Sequence, residues 1–181
     1  MSGLTLQQIT LLTNSFRNLM SQHAFLEQLK ELDSRTVRIA LFPARWRWFC
    51  ARYQPDWNYT PFETDKVAQI SDSPGVYCFH VGHRLTCLPP FGISLYGGIT
   101  KVSLRRRCMG YFSEKDSPSG RISVRKFLHV FEGELTLFWS EIDITSFDID
   151  QLERDFNDAM MPPYSRRDFS AEVRSARSAW Q

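Results

Sequence analysis

Two short apolar runs, each bounded by glycine, constrain the fold of this chain more than any other feature. Pro74-Gly75 punctuates the entry to Val76-Tyr77-Cys78-Phe79-His80-Val81, whose β-branched and aromatic residues suit a strand. Gly82 opens a connection containing Pro89-Pro90 and Gly92, and Ile93-Ser94-Leu95-Tyr96 returns as a second strand closed by Gly97-Gly98. Residues from about Val102 to Phe112 then read as a helix. After a loop over Ser117 to Gly120, Phe127 to Phe131 and Leu135 to Ile142 read as two more strands joined at Glu132-Gly133. Asp148 followed by Gln151 resembles a capping box and starts a helix that runs to about Met161, where Pro162-Pro163 stops it. This order predicts an α+β fold, with a small central antiparallel sheet of about three or more strands flanked by helices.

The first third of the chain differs in character. Leu4, Ile9, Leu12, Phe16, Leu19, Phe25, Leu26 and Leu29 recur at helical spacing among Gln, Asn and Ser, which predicts a helix from about Leu4 to Leu32. Val37 to Leu41 fits a strand or a second helix, and Arg45-Trp46-Arg47-Trp48-Phe49 mixes aromatic and basic residues. Tryptophans in such a run either pack an appendage onto a core or stack on bases. The expected division is a helical N-terminal extension over 1–66, a main α+β domain over 67–170 and a basic C-terminal tail over 171–181. A chain of 181 residues is long enough to bury a proper core.

A formal net charge of +2 decides little, because binding of polyanions depends on where basic residues gather. Here Lys101, Arg105, Arg106, Arg107, Lys115, Arg121, Arg125 and Lys126 share one segment with only Glu114 and Asp116 against them. Arg166, Arg167, Arg174 and Arg177 form a second group. No apolar run reaches the ~18 residues of a membrane span, and the first residues lack a signal-peptide pattern, so a cytoplasmic protein is expected. Cys50, Cys78, Cys87 and Cys108 make no CxxC pair and read as reduced thiols, and Cys78, His80, His83 and Cys87 fit no established zinc spacing.

Helical geometry separates the arginines of the 102–112 segment. With Leu104 pointing inward, Tyr111 and Arg107 lie roughly 20° and 60° away, while Arg105 and Arg106 point well off that face. Arg107 is thus expected at the rim of the packed stripe, fixed well enough to hold a phosphate and the charge that builds on it. Arg105 and Arg106 suit looser backbone-phosphate contacts. In the later helix Leu152, Phe156 and Met160 face inward, with Glu153 at the edge of that face, where one carboxylate can hold a Mg²⁺ that keeps several waters. A tyrosine becomes a general base only if nearby positive charge lowers its pKa of about 10, and Arg107 and the metal are the groups able to do so.

Gly75-Val76-Tyr77, Tyr96-Gly97-Gly98, Leu104 with Arg107, Tyr111-Phe112 and Leu152-Glu153 together resemble the GIY-YIG nuclease superfamily over roughly residues 70 to 168. A tyrosine at 111 is similar to the branch represented by the UvrC N-terminal domain. The resemblance implies a metal-dependent DNA endonuclease with one Mg²⁺ or Mn²⁺ per site. It implies that Tyr77 is the general base, that Tyr96 orients water or phosphate, that Arg107 stabilises the transition state and that Tyr111 assists. Glu153 would bind the metal. Lys101, Arg105, Arg106, Ser165, Arg166 and Arg167 would meet the nucleic acid, with a homodimer or a partner protein supplying targeting. Ser165 stands where the family has an asparagine, which implies reduced activity. A nucleic-acid-binding module that has lost cleavage, or a protein-interaction domain, are the alternatives.

Overall fold

The computed structural model describes Glu27 and residues 30–83, 91–143, 145–166 and 169–179. It divides into two units, Met1–Val37 and Arg38–Gln181. In the first unit, residues 30–35 are helical, and Lys30 pairs with Glu27 at 2.8 Å. The rest of the helix expected over residues 4 to 32 lies outside the described residues.

The second unit is α+β. In chain order it comprises α1 (Pro43–Tyr53), β1 (Asn58–Pro61), α2 (Thr64–Val67), β2 (Gly75–His83), β3 (Phe91–Thr100), α3 (Leu104–Asp116), α4 (Ile122–Val130), β4 (Leu135–Glu141), α5 (Ile149–Met160) and α6 (Ala171–Ser178). The sheet has four strands in the order β1-β4-β2-β3, and every pairing is antiparallel. Tyr77 lies opposite Gly98 and Cys78 opposite Gly97, with a bulge between Phe79 and His80.

Alternation along β2 sorts the helices onto the two faces. Tyr77 and Phe79 face α3 and α4, where Phe79 meets the rings of Tyr111 at 4.9 Å and Phe127 at 5.2 Å. Val76 and Cys78 face α1 and α5, in a core that includes Phe49, Tyr53, Leu152 and Phe156.

Three local differences from the sequence expectation have physical causes. Phe127 to Phe131 is not a strand, because Val124, Phe127, Leu128 and Phe131 are all buried at helical spacing and lie in or just after α4. Residues 36–42 have no regular structure, although a strand or helix was expected over Val37 to Leu41. Asp148 caps α5 by accepting from the amides of Asp150 and Gln151. The capping box stays open there, because the Gln151 side chain donates to Asp155 instead.

The compact unit also starts earlier than residue 67. β1 pairs with β4 over Asn58–Pro61, and Phe49 of α1 lies 5.5 Å from the ring of Phe156. Residues 171–178 form a helix, whose Val173 packs with Met161 and Phe169. Among the described residues no helix is long and apolar enough to cross a membrane.

Candidate active site

Gly98 lets the centre of the site form. A Cβ at that position would lie 2.7 Å from the Tyr77 hydroxyl, so the phenol reaches across edge strand β3 only because Gly98 has no side chain. The next strand position does the same on the other face, where a Cβ at Gly97 would lie 2.6 Å from the Phe156 ring. The paired glycines therefore allow close approach from both sides of one strand.

Over Gly98, four of the expected residues meet. Arg107 Nε donates to the Tyr77 hydroxyl at 2.9 Å, and the Tyr77 and Tyr111 hydroxyls are 2.7 Å apart. The guanidinium carbon of Arg107 sits 5.1 Å from the Tyr111 ring centre. Tyr96 completes the group, its ring 6.0 Å from that of Tyr111. Helix α3 delivers Arg107 and Tyr111 because Leu104, Cys108 and Tyr111 form its buried stripe. Ser103 caps its start by accepting from the Arg106 amide at 3.0 Å. Arg107 is half-buried at the rim of that stripe, as the helical angles predict.

Burial works against the expectation that Arg107 lowers the pKa of Tyr77. Tyr77 is fully buried, and burial pushes its phenol well above the ordinary value. The nearby Tyr96 adds to the rise, and the Arg107 charge only partly offsets it. Tyr111 is raised for the same leading reason. Tyr77 is accordingly a neutral phenol at neutral pH, and its oxygen accepts from Arg107. It holds the guanidinium in place.

Sequence reasoning assigned no site role to two residues that the structure brings in. Arg121, at the start of α4, donates through Nη1 to the Tyr96 hydroxyl at 2.8 Å. Glu114 grips the same guanidinium at both carboxylate oxygens, at 2.7 and 2.8 Å, and those bonds hold its carboxyl below the usual range. Arg121 stood in the basic cluster from the start. What marks it out is its seven-residue separation from Glu114 across a turn, and no helical or strand periodicity reports such a pairing.

Glu153 lies on α5, on the other side of β3. Lys101 at the end of β3 pairs with Asp150 at 3.1 Å, and Phe156 packs over Gly97. Glu153 lies between Asp150 and Phe156 on the same helix and is half-buried. One turn further, Asn157 is buried with its Oδ1 lacking a hydrogen-bond partner, while its Nδ2 donates to the Glu153 carbonyl at 3.0 Å. The half-buried Glu153 carboxylate is of the type that holds a hard divalent cation with its water shell, whereas the Asn157 amide oxygen is sealed from solvent. Among the described residues no three His, Cys, Asp or Glu side chains gather into a metal-holding group, so a metal here would draw its other ligands from water and substrate.

The residues expected to meet nucleic acid take different positions. Arg105 and Arg106 are exposed, and Arg105 Nε donates to the Ile70 carbonyl at 3.0 Å. Lys101 is exposed and paired with Asp150. Ser165 corrects its expectation. It is only 1% exposed, and its hydroxyl lies 3.3 Å from the Gly97 amide and 3.4 Å from the Gly97 carbonyl. It fastens the loop after α5 to β3 rather than facing a strand of nucleic acid. Arg166, the next residue, is exposed, and Arg167 lies outside the described residues.

The aromatic-basic run of α1 is split, with Phe49 buried and Trp46 packed on it while Arg47 and Trp48 are exposed. Trp46 stacks on Phe49 at 5.6 Å, and Arg45 pairs with Asp158 at 3.5 Å. Cys78, singled out with the histidines, is buried, and its thiol is pushed up to about 12 by that burial.

No protein-family model, no curated protein and no solved structure matches this chain.

Proposed function

We propose that this chain is a metal-dependent DNA endonuclease of the GIY-YIG type, acting in the cytoplasm. One observation carries the reading: a guanidinium, Arg107, is fixed by a buried phenol beside two further tyrosines at a glycine-paired sheet edge. Each of these polar groups is costly to bury, and a core built for stability alone would replace them with apolar side chains.

In this reading Arg107 binds a non-bridging oxygen of the scissile phosphate and stabilises the charge that builds there, with Tyr77 as its fixed support. Tyr96 receives a donor from Arg121, so its own O–H is directed to another acceptor and can orient a phosphate oxygen or the attacking water. Tyr111 keeps the Tyr77 hydroxyl in place. Glu153 would hold a Mg²⁺ or Mn²⁺, which when bound polarises the phosphoryl oxygen and lowers the pKa of a bound water. Lys101, Arg105 and Arg106 contact backbone phosphates, and two copies of the site, or a partner protein, provide double-strand cutting and targeting.

A second reading is favoured by the burial and raised pKa of Tyr77: a nucleic-acid-binding module that keeps the site but no longer cuts. Incubation of supercoiled plasmid with Mg²⁺, Mn²⁺ or EDTA, beside Glu153→Ala, separates the two. The nuclease nicks the plasmid in either metal and is silenced by EDTA and by the substitution. Salt-sensitive binding without nicking would establish the binding module instead.

A further inference from the structure

We infer that the cleft bordered by Tyr96, Arg121 and Arg166 is the seat of a second phosphodiester of the same nucleic-acid strand, next to the one held by Arg107. This rests on the phosphate-binding reading of the Arg107 site. The cleft, about 320 Å³, opens between the start of α4 and Tyr164. Its floor is the Tyr96 ring, which stacks on Phe127 at 5.6 Å, so the floor is rigid.

The geometry of Arg121 argues for an anion at this place. A guanidinium has five N–H donors in a fixed plane. Glu114 takes Nε and one hydrogen on Nη2, and Tyr96 takes one on Nη1. The guanidinium is thereby held in one plane while its side chain stays 45% exposed at the cleft, and a fixed, half-exposed guanidinium suits a phosphate oxygen.

Glu114 neutralises part of the Arg121 charge and at the same time locks its plane. Arg166, exposed on the same cleft, restores the positive balance. Ser165 bolts the loop that carries Arg166 to Gly97, so its position is also fixed.

The two guanidinium groups flank one ring. Arg107 lies 5.1 Å and Arg121 5.7 Å from the centre of Tyr111. Tyr111 is itself buried, so a strand running along the surface above it would meet one arginine and then the other. The Tyr96 hydroxyl accepts from Arg121 beside the cleft.

The test is binding of an oligonucleotide in EDTA, with single phosphates replaced in turn by neutral methylphosphonates. The proteins compared are the full chain, Arg121→Gln and Arg166→Gln, each checked for an unchanged thermal melt. The wild type should lose severalfold in affinity when one particular phosphate beside the cut position is neutralised. In both variants the same replacement should cost nothing further, and the salt slope should fall by about 0.7–0.9. Arg166→Gln keeps the proposal open to refutation if Arg121→Gln does not fold.

If the replacement weakens wild type and variants equally, or if no single phosphate matters, the second seat does not exist. Plasmid cutting in Mg²⁺ with no such coupling would overturn this inference alone. Coupling without cutting would leave the seat standing and remove the nuclease. Neither binding nor cutting would overturn both.

Discussion

Gly98 and the phenol lying over it are the tightest fit in the candidate site, and the effect of a single added methyl follows from that. Gly98→Ala would place a carbon 2.7 Å from the Tyr77 hydroxyl, which no ordinary contact tolerates. The phenol is the end of a rigid ring wedged between Arg107 and Tyr111, so it cannot yield without breaking one of those hydrogen bonds. Overpacking of this kind costs about 1–3 kcal/mol, and displacement of a fixed catalytic donor about 10²-fold in rate. Gly98→Ala should therefore remain folded in a urea melt while its plasmid-nicking rate falls by about that factor. Titration in the same interior gives a second expectation. Burial pushes the thiols of Cys78 and Cys108 up to about 12. The Tyr77 phenol is raised as well. Each group binds its proton more tightly folded than unfolded. The stability they contribute is complete below the unfolded thiol value of about 8.5 and is lost as pH rises from there towards 12. Urea midpoints under reducing conditions should hold steady from pH 7 to 8 and fall progressively by pH 10.5. A flat profile would contradict the buried, protonated state of these groups.

Helices α1 and α5 carry the opposite face of the sheet, and that face keeps β3 where the site needs it. Phe49, fully buried, touches Tyr53 at 4.9 Å and Phe156 at 5.5 Å, and Phe156 in turn fills the space left by Gly97. Phe49→Ala should cost about 3–5 kcal/mol in urea unfolding, the range for removing a buried aromatic. A cost under 1 kcal/mol would mean that α1 is dispensable packing. Elements whose pattern is local were legible in the sequence: β2 and β3 from their glycine boundaries, α3 and its Arg107 rim from helical angles, α5 from Asp148 and Pro162. α4 was not, because Phe127-Leu128-His129-Val130-Phe131 is rich in β-favouring residues. The stripe that makes it a helix begins at Val124, outside that window. β1 was hidden for a different reason. Asn-Tyr-Thr-Pro is too short to show a period, and it becomes a strand only because β4 offers it an edge. In the site, the meeting of Tyr77, Tyr96, Arg107 and Tyr111 could be anticipated. The Glu114–Arg121 fork and the inward turn of Ser165 could not, since both depend on contacts between segments distant in sequence or on opposite sides of a loop.

The sheet as a whole places the candidate site at one edge and structural closure at the other. β3 is the last strand on that side, fastened along its outer edge by the loop after α5 through Tyr164 and Ser165, with the tyrosine–arginine group on one face and α5 on the other. β1 closes the far edge, and α1 covers the core between β2 and α5. The compact unit from Arg38 to Gln181 should for this reason be the smallest folded piece that retains the site. A chain of residues 38–181 should give a cooperative melt. One of residues 67–181 lacks both β1 and α1, exposes Phe156 and Leu137, and should aggregate or melt without cooperativity. Recovery of a cooperative melt from the shorter piece would show that the first strand and helix are accessory.

The most direct test of the account compares two arginines that differ by two positions on α3 and carry the same charge. Arg107 is fixed to Tyr77, whereas Arg105 points away towards Ile70. Single-turnover cleavage of plasmid in Mg²⁺ by Arg107→Ala and Arg105→Ala, at protein concentrations that saturate binding, isolates the chemical step from general affinity. The account predicts that Arg107→Ala loses about 10²–10³-fold in rate while Arg105→Ala stays within a few-fold of the wild type. Equal losses in the two variants, or cleavage by Arg107→Ala at the wild-type rate, would contradict it.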